Sequence, residues 1–288
     1  MEKAKRNLIF LTILVIGFLI RVYFVNKVIV GDIFNYQEWG QKLIENGPKD
    51  YYFSRDWYYS PPVYPPVAIL SYGLSYYLFE QKYLVAQLHN LIHFPPSAFI
   101  VYFYKFGYIL LLKLPSILAD LVLSILIYKL IFKLTNDSKK SLFGFLFYLF
   151  NPISVFLSGA WGQSDSLIAL VGLGAFLLVL NKSLIISLPL MFLGTYFKPS
   201  WLILLPFYFY VIYLVKPKIS HIITGSVLAI LVFILTTMPF SDKNVFSYGW
   251  ELFTKRYPLP IGSSVKASTS AFNFQTIFYK LDIDYAKG

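Results

Sequence analysis

The sequence predicts an all-α, polytopic membrane protein, and three observations carry that prediction. Long apolar runs bounded by Lys recur from end to end, hydrophobic residues fill 57% of the 288 positions against 14% charged, and the mean hydropathy is +0.62. One soluble core cannot bury that much apolar surface. The runs also lack the alternation of apolar and polar residues that an outer-membrane barrel needs, so the spans are read as helices.

Composition narrows the chemistry as well. The chain has no Cys, which removes disulfides, zinc thiolates and thiol nucleophiles together. Its net charge is +11, but Lys and Arg are scattered over short loops and span ends. There is no basic-aromatic groove, so nucleic acid is not an expected partner, and the charges are read as topology signals.

In chain order, "MEKAKR" precedes a first apolar run without a small-x-small cleavage site, so residues 7–26 read as an uncleaved anchor. At about 20 residues per span, further helices are expected near 107–132, 141–159, 164–181, 183–197, 199–215 and 219–239. The stretch 65–105 reads either as one helical hairpin or as two interfacial helices, giving about 7 to 9 spans. The organisation expected is a transmembrane module over 1–239, with a first outer loop at 27–64, and a second outer-face loop over 240–288.

Lys3, Lys5 and Arg6 favour an inside N-terminus, and the segments "KLIFKLTNDSKK", "NK" and "KPK" then fall inside as well. The outer side receives residues 27–64, "GAWGQSD", the turn at Lys198 and Pro199, and everything after Pro239. Every polar motif of interest falls on that face. Such segregation is expected of a site, although any polytopic chain must put polar turns somewhere.

Asp32, Tyr36 and Trp39 follow the first span at i, i+4 and i+7, so one face of a short surface helix would present a carboxylate and two aromatics. That set suits a general base toward a sugar hydroxyl; a helix N-cap and an interfacial aromatic belt account for the same residues. Residues 51–66, "YYFSRDWYYSPPVYPP", crowd six Tyr or Trp with four Pro, which fits carbohydrate stacking and headgroup anchoring alike.

Lys113 and Asp120 lie seven apart on one helix face, and Asp120 is read as a bundle-facing structural group. In "NPISVFLSGAWGQSDSL", which carries Trp161, one span ends and the next begins, so Gln163 and Asp165 sit at the first turn of a helix that favours anions, unless Ser164 or Asp165 merely caps it. The span before Lys198 has only about 15 residues, roughly 22 Å against a core of about 30 Å. Lys198 is therefore expected to be recessed, facing a lipid-linked phosphate or snorkelling. His89 and His93 have i, i+4 spacing without further ligands nearby, which does not make a metal motif.

Taken together, "GDIFNYQEW", "VYPPVAIL", "KLPSILADL", "NPISVFLSGAWGQSDSL", "TYFKPSWLILLPF" and "SAFNF" resemble the glycosyltransferase C superfamily, and within it the prokaryotic mannosyltransferases related to the second mannosyltransferase of GPI-anchor synthesis. The pieces cover nearly the whole chain; each is weak singly, and their order carries the likeness. The resemblance implies an inverting hexosyl transfer, mannosyl in the narrower form, from a polyprenyl-phosphate-linked donor to a glycan or lipid-linked acceptor. Asp32 would be the base, with Tyr36, Trp39, Tyr64, Trp161, Gln163, Asp165 and Asn273 around the substrates. Depth and charge add Lys198 and Arg21 as contacts of the donor phosphate.

No cofactor is assigned, and a divalent cation stays open. The expected location is the cell membrane with the site on its outer face, or the ER membrane for a eukaryotic chain. Because relatives in that superfamily continue with more helices after the "AFN" segment, the sequence is expected to be the N-terminal part of a longer enzyme. The rival is a carrier or flippase of lipid-linked sugars, which shares the architecture but needs no base; a non-catalytic subunit of a glycan-assembly complex is a third reading.

Overall fold

A computed structural model describes residues 2–29 and 31–256, and these are helical with no strand among them. α1 (Glu2–Phe24) is followed by α2 (Gly31–Asn46), α3 (Pro66–Glu80) and α4 (Lys82–Ile92). Then come α5 (Ser97–Thr135), α6 (Ser138–Leu149), α7 (Pro152–Val155) and a π-helical turn, Phe156–Trp161. α8 (Asp165–Leu180), α9 (Leu184–Phe197), a 3-10 turn at Pro199–Leu204, α10 (Leu205–Val215), α11 (Ile219–Thr237) and α12 (Val245–Lys255) complete the described chain.

Among the described residues, four stretches are long and apolar enough to cross a membrane: Asn7–Phe24, Ser97–Thr135, Ser138–Trp161 and Ile219–Phe240. Three shorter apolar helical stretches, Asp165–Leu180, Leu184–Phe197 and Pro199–Val215, coincide with the remaining expected spans. Phe143, Phe147, Phe207 and Tyr213 stand fully outward on these helices. A belt of that size facing out is what a lipid environment requires and water penalises.

The stretch 65–105 turns out to be α3, α4 and the first turns of α5. α3 starts with Pro66 at a position where no N–H is needed. It buries Ala68, Ile69, Tyr72 and Ser75, whereas α4 buries nothing. Helices α2 and α3 approach closely because Gly40 lies against the backbone of Tyr72; a Cβ there would stand 2.4 Å from the Tyr72 carbonyl oxygen.

α5 starts at Ser97, well before the expected 107, and its 39 residues run about 58 Å. Pro115 interrupts its hydrogen bonding and frees the carbonyl of Leu111. The Ser75 hydroxyl donates to that oxygen at 3.3 Å, so the freed acceptor is satisfied from α3. The expected span 141–159 falls within Ser138–Trp161, whose helix is interrupted at Asn151–Pro152, where the Asn151 side chain accepts from the Ile153 N–H at 2.9 Å.

The expected outer loop after 239 contains a helix, α12, capped by Asn244, whose Oδ1 accepts from the N–H groups of Phe246 and Ser247. Phe240, in the 3-10 turn Met238–Phe240 that follows α11, packs edge-on to both Tyr51 and Tyr52, and Tyr248 of α12 meets Phe53. The segment 27–64 and the end of α11 therefore close over the same end of the bundle, above a core that includes Tyr36, Trp39, Tyr72, Ile168 and Phe197.

Candidate functional site

Asp32 lies in the first turn of α2 and is half-buried. Its Oδ2 accepts two hydrogen bonds, from Trp161 Nε1 at 3.0 Å and from Gln163 Nε2 at 2.7 Å. Its Oδ1 takes none from the described residues. Both donors are neutral, so they fix the carboxylate's orientation without pairing its charge.

The backbone between those donors explains their convergence. The chain leaves α7 through the π-helical turn, and Gly162 follows with φ +83°, in the left-handed region that favours glycine. The N–H groups of Gly162 and Gln163 both donate to the Leu157 carbonyl at 2.9 Å. A Cβ at position 162 would stand 2.7 Å from Ile33 Cδ1 and 2.9 Å from Lys113 Cγ. The turn is thus pressed onto the residue after Asp32, and only glycine fits it. π-Helical turns are frequent at functional sites.

Lys113 supplies a contact that sequence reasoning missed. Its ammonium is fully buried and donates to three backbone carbonyls, those of Val25 at 2.8 Å, Val28 at 3.2 Å and Ala160 at 2.5 Å. The first two lie in the link between α1 and α2, the third just before Trp161. One side chain of α5 therefore ties together the two segments that form the Asp32 cluster. The signal in the sequence was only a lysine within an apolar run.

Beside Asp32 stands an aromatic wall. Tyr36 stacks on Tyr72 with ring centroids 4.7 Å apart, Trp39 lies 5.7 Å from Tyr36, and Tyr64 meets Trp39 edge-on at 5.9 Å. Burial first, then Tyr72, Tyr64 and the Asp32 carboxylate, hold the Tyr36 phenol well above its ordinary range, so it remains a neutral donor. The Tyr72 hydroxyl is buried and has no hydrogen-bond partner among the described residues, although the Asp32 carboxylate and the Tyr64 phenol lie within electrostatic reach of it. Sequence reasoning missed Tyr72 because it sits on an apolar helix.

Lys198 and Asp165 form an ion pair that joins the end of α9 to the start of α8, two residues after Gln163. The lysine is the more buried partner, at 16% side-chain exposure. Phe197, next to it, packs edge-on against Tyr72 at 6.4 Å, which links this pair to the aromatic wall. The structure thus gathers Asp32, Tyr36, Trp39, Tyr64, Trp161, Gln163, Asp165 and Lys198 at one end of the bundle.

Arg21 is placed elsewhere. Its Nε donates to Asp120 Oδ2 at 3.0 Å, and its other nitrogens donate to the Gly17 carbonyl and the Ser154 hydroxyl, both at 3.1 Å. Asp120 also accepts from Tyr148 and Ser158. Both charges are fully buried, and each compensates the other, so the guanidinium is committed to the bundle interior and not to a donor phosphate. Asn273 lies outside the described residues, as does the "SAFNF" segment.

Among the described residues no group of three or more His, Cys, Asp or Glu is arranged to hold a metal ion. His89 bonds with the Pro95 carbonyl and the Ser97 hydroxyl at the turn between α4 and α5. Compared with protein-family models, curated proteins and solved structures, the chain matches none.

Proposed function

We propose that the protein is a membrane-embedded glycosyltransferase of the C type, moving a hexose, mannose in the narrower reading, from a polyprenyl-phosphate-linked donor to a glycan or lipid-linked acceptor on the outer face of the cell membrane. One observation carries the reading: the Asp32 carboxylate is oriented through Oδ2 by Trp161 and Gln163, while Oδ1 is left for another donor beside an aromatic wall. An oxygen so placed can take the proton of an attacking hydroxyl. The tyrosine and tryptophan rings offer faces for a sugar's C–H surface.

In the step proposed, the acceptor oxygen bonds to the anomeric carbon from the side opposite the phosphate. The bond from that carbon to the phosphate oxygen breaks, polyprenyl phosphate leaves with the electron pair, and Asp32 takes the hydroxyl proton. Lys198 would exchange part of its pairing with Asp165 for the donor phosphate, for which charge matters more than shape.

The test is transfer by the purified chain in liposomes supplied with polyprenyl-phosphate mannose or glucose. Asp32→Asn should lower turnover by at least about 100-fold and leave donor binding nearly unchanged, because the amide keeps the shape but cannot accept the proton. Near-wild-type turnover in that variant would remove Asp32 from the base role. Movement of sugar-lipid across the bilayer without transfer would establish the carrier instead.

A further inference from the structure

Helix α2 presents two different faces. Asp32, Tyr36, Trp39 and Leu43 recur on the side against the core, whereas Phe34, Gln37, Gln41 and Glu45 recur on the opposite side. That outward side lines a cleft of about 420 Å³, whose other wall is formed by Tyr58 and Tyr59. The two rings are 85% and 52% exposed, so core burial does not hold them.

They are held through their backbone. The two oxygens of Glu38 accept the N–H groups of Tyr58 at 2.6 Å and Tyr59 at 3.0 Å. The next residue is fixed twice: Trp39 Nε1 donates to the Ser60 carbonyl at 2.7 Å, and the Ser60 hydroxyl donates to Asn35 Oδ1 at 2.9 Å. Tyr59 also stacks on Phe34 at 5.3 Å, with Tyr58 edge-on to it at 4.9 Å. Burial pushes the Glu38 carboxyl up, but the two N–H groups and Lys42 push it down further, below the usual carboxylate range. The pin therefore stays ionised at neutral pH.

An aromatic belt residue needs only the right depth; nothing in that role requires a carboxylate pinning the backbone of two exposed rings. The chemistry of the lining points to a particular ligand. Aromatic faces suit the C–H surface of a pyranose, and the side-chain amides of Gln37 and Asn46 suit its neighbouring hydroxyls, each offering a donor and an acceptor; the Gln41 nitrogen already donates to Glu45 at 3.0 Å, so its amide oxygen is what faces a ligand. Anions are disfavoured, because Glu38 and Glu45 outnumber Lys42, whose ammonium already pairs with Glu38 at 3.1 Å and lies over the Trp57 ring.

We propose that this cleft binds a neutral oligosaccharide through Tyr58, Tyr59 and the amides of α2. Binding there does not require transfer; that the occupant is the acceptor glycan rests on the transferase reading, since the helix that builds the cleft also carries Asp32.

The experiment titrates the purified full chain, in nanodiscs of phosphatidylcholine, with soluble tetrasaccharides of mannose, glucose, galactose and N-acetylglucosamine, read by saturation-transfer NMR and calorimetry. At least one should bind with a Kd on the order of 1 mM. Tyr59→Ala and Gln41→Ala should each weaken it by about tenfold or more, a loss near 1.4 kcal/mol. Binding is read with no sugar donor present, so a failure of the transferase reading leaves it standing and a failure of this site is seen separately. A wild-type chain that binds none of the four, or binding indifferent to both cleft variants, overturns the proposal. So does quenching of a Tyr58→Trp probe by brominated lipid, which would put the rings among headgroups.

Discussion

Gln163 Nε2 lies 2.7 Å from Asp32 Oδ2, although the two residues are 131 positions apart. The contact joins the first turn of α2 to the turn that opens α8, with Trp161 on the same oxygen. Gln163→Ala should therefore release the carboxylate's orientation while leaving its charge in place. Under the transferase reading, turnover is expected to fall by roughly 10- to 100-fold, as for a misplaced catalytic group, with a smaller change in the KM for donor. Steady-state kinetics of the variant in liposomes checks this; unchanged kcat would mean that Asp32 needs no orienting partner.

Tyr72→Phe tests the buried hydroxyl that lacks a partner. Deleting an unsatisfied buried hydroxyl removes a penalty of about 1–3 kcal/mol, so thermal stability in detergent should hold or rise. If the hydroxyl binds a hydroxyl of the sugar, transfer should nonetheless drop by about tenfold. A variant that is both less stable and fully active would show that the group bonds only within the protein.

Lys113→Met removes the donor shared by the Val25, Val28 and Ala160 carbonyls. Three acceptors, two of them buried, losing a charged donor should destabilise the chain by roughly 3 kcal/mol or more, seen as a lower midpoint of thermal unfolding. Under the transferase reading, transfer should be lost with it, since both halves of the Asp32 cluster hang on that side chain. An unchanged midpoint would mean that the carbonyls find other donors.

Orientation is open to direct labelling because the chain has no native Cys. Lys49, Asp242 and Ser138 are all exposed. Cys at Lys49 or Asp242 should react with an impermeant thiol reagent applied to intact cells, and Cys at Ser138 should not. The opposite pattern would place the site on the inner face.

The sequence by itself determined the helical class, the positions of most apolar helices and the concentration of polar motifs at one end, because hydrophobicity and Lys placement are local properties of a chain. It also carried Asp32 with Tyr36 and Trp39, since helical spacing alone puts them on one face. The tertiary structure decided the partners. Lys113 and Asp120 share a helix face in the sequence, yet one clamps three carbonyls and the other pairs with Arg21. Neither outcome is legible in α5, because a helix apolar nearly all round does not encode its own rotation or tilt against its neighbours. Those are set by packing, through close approaches such as Gly40 on Tyr72 and Gly162 on Lys113. The same holds for the ends of the helices: α5 starts at Ser97, well before the expected 107, and its internal Pro115 is accommodated because Ser75 of another helix satisfies the carbonyl it frees.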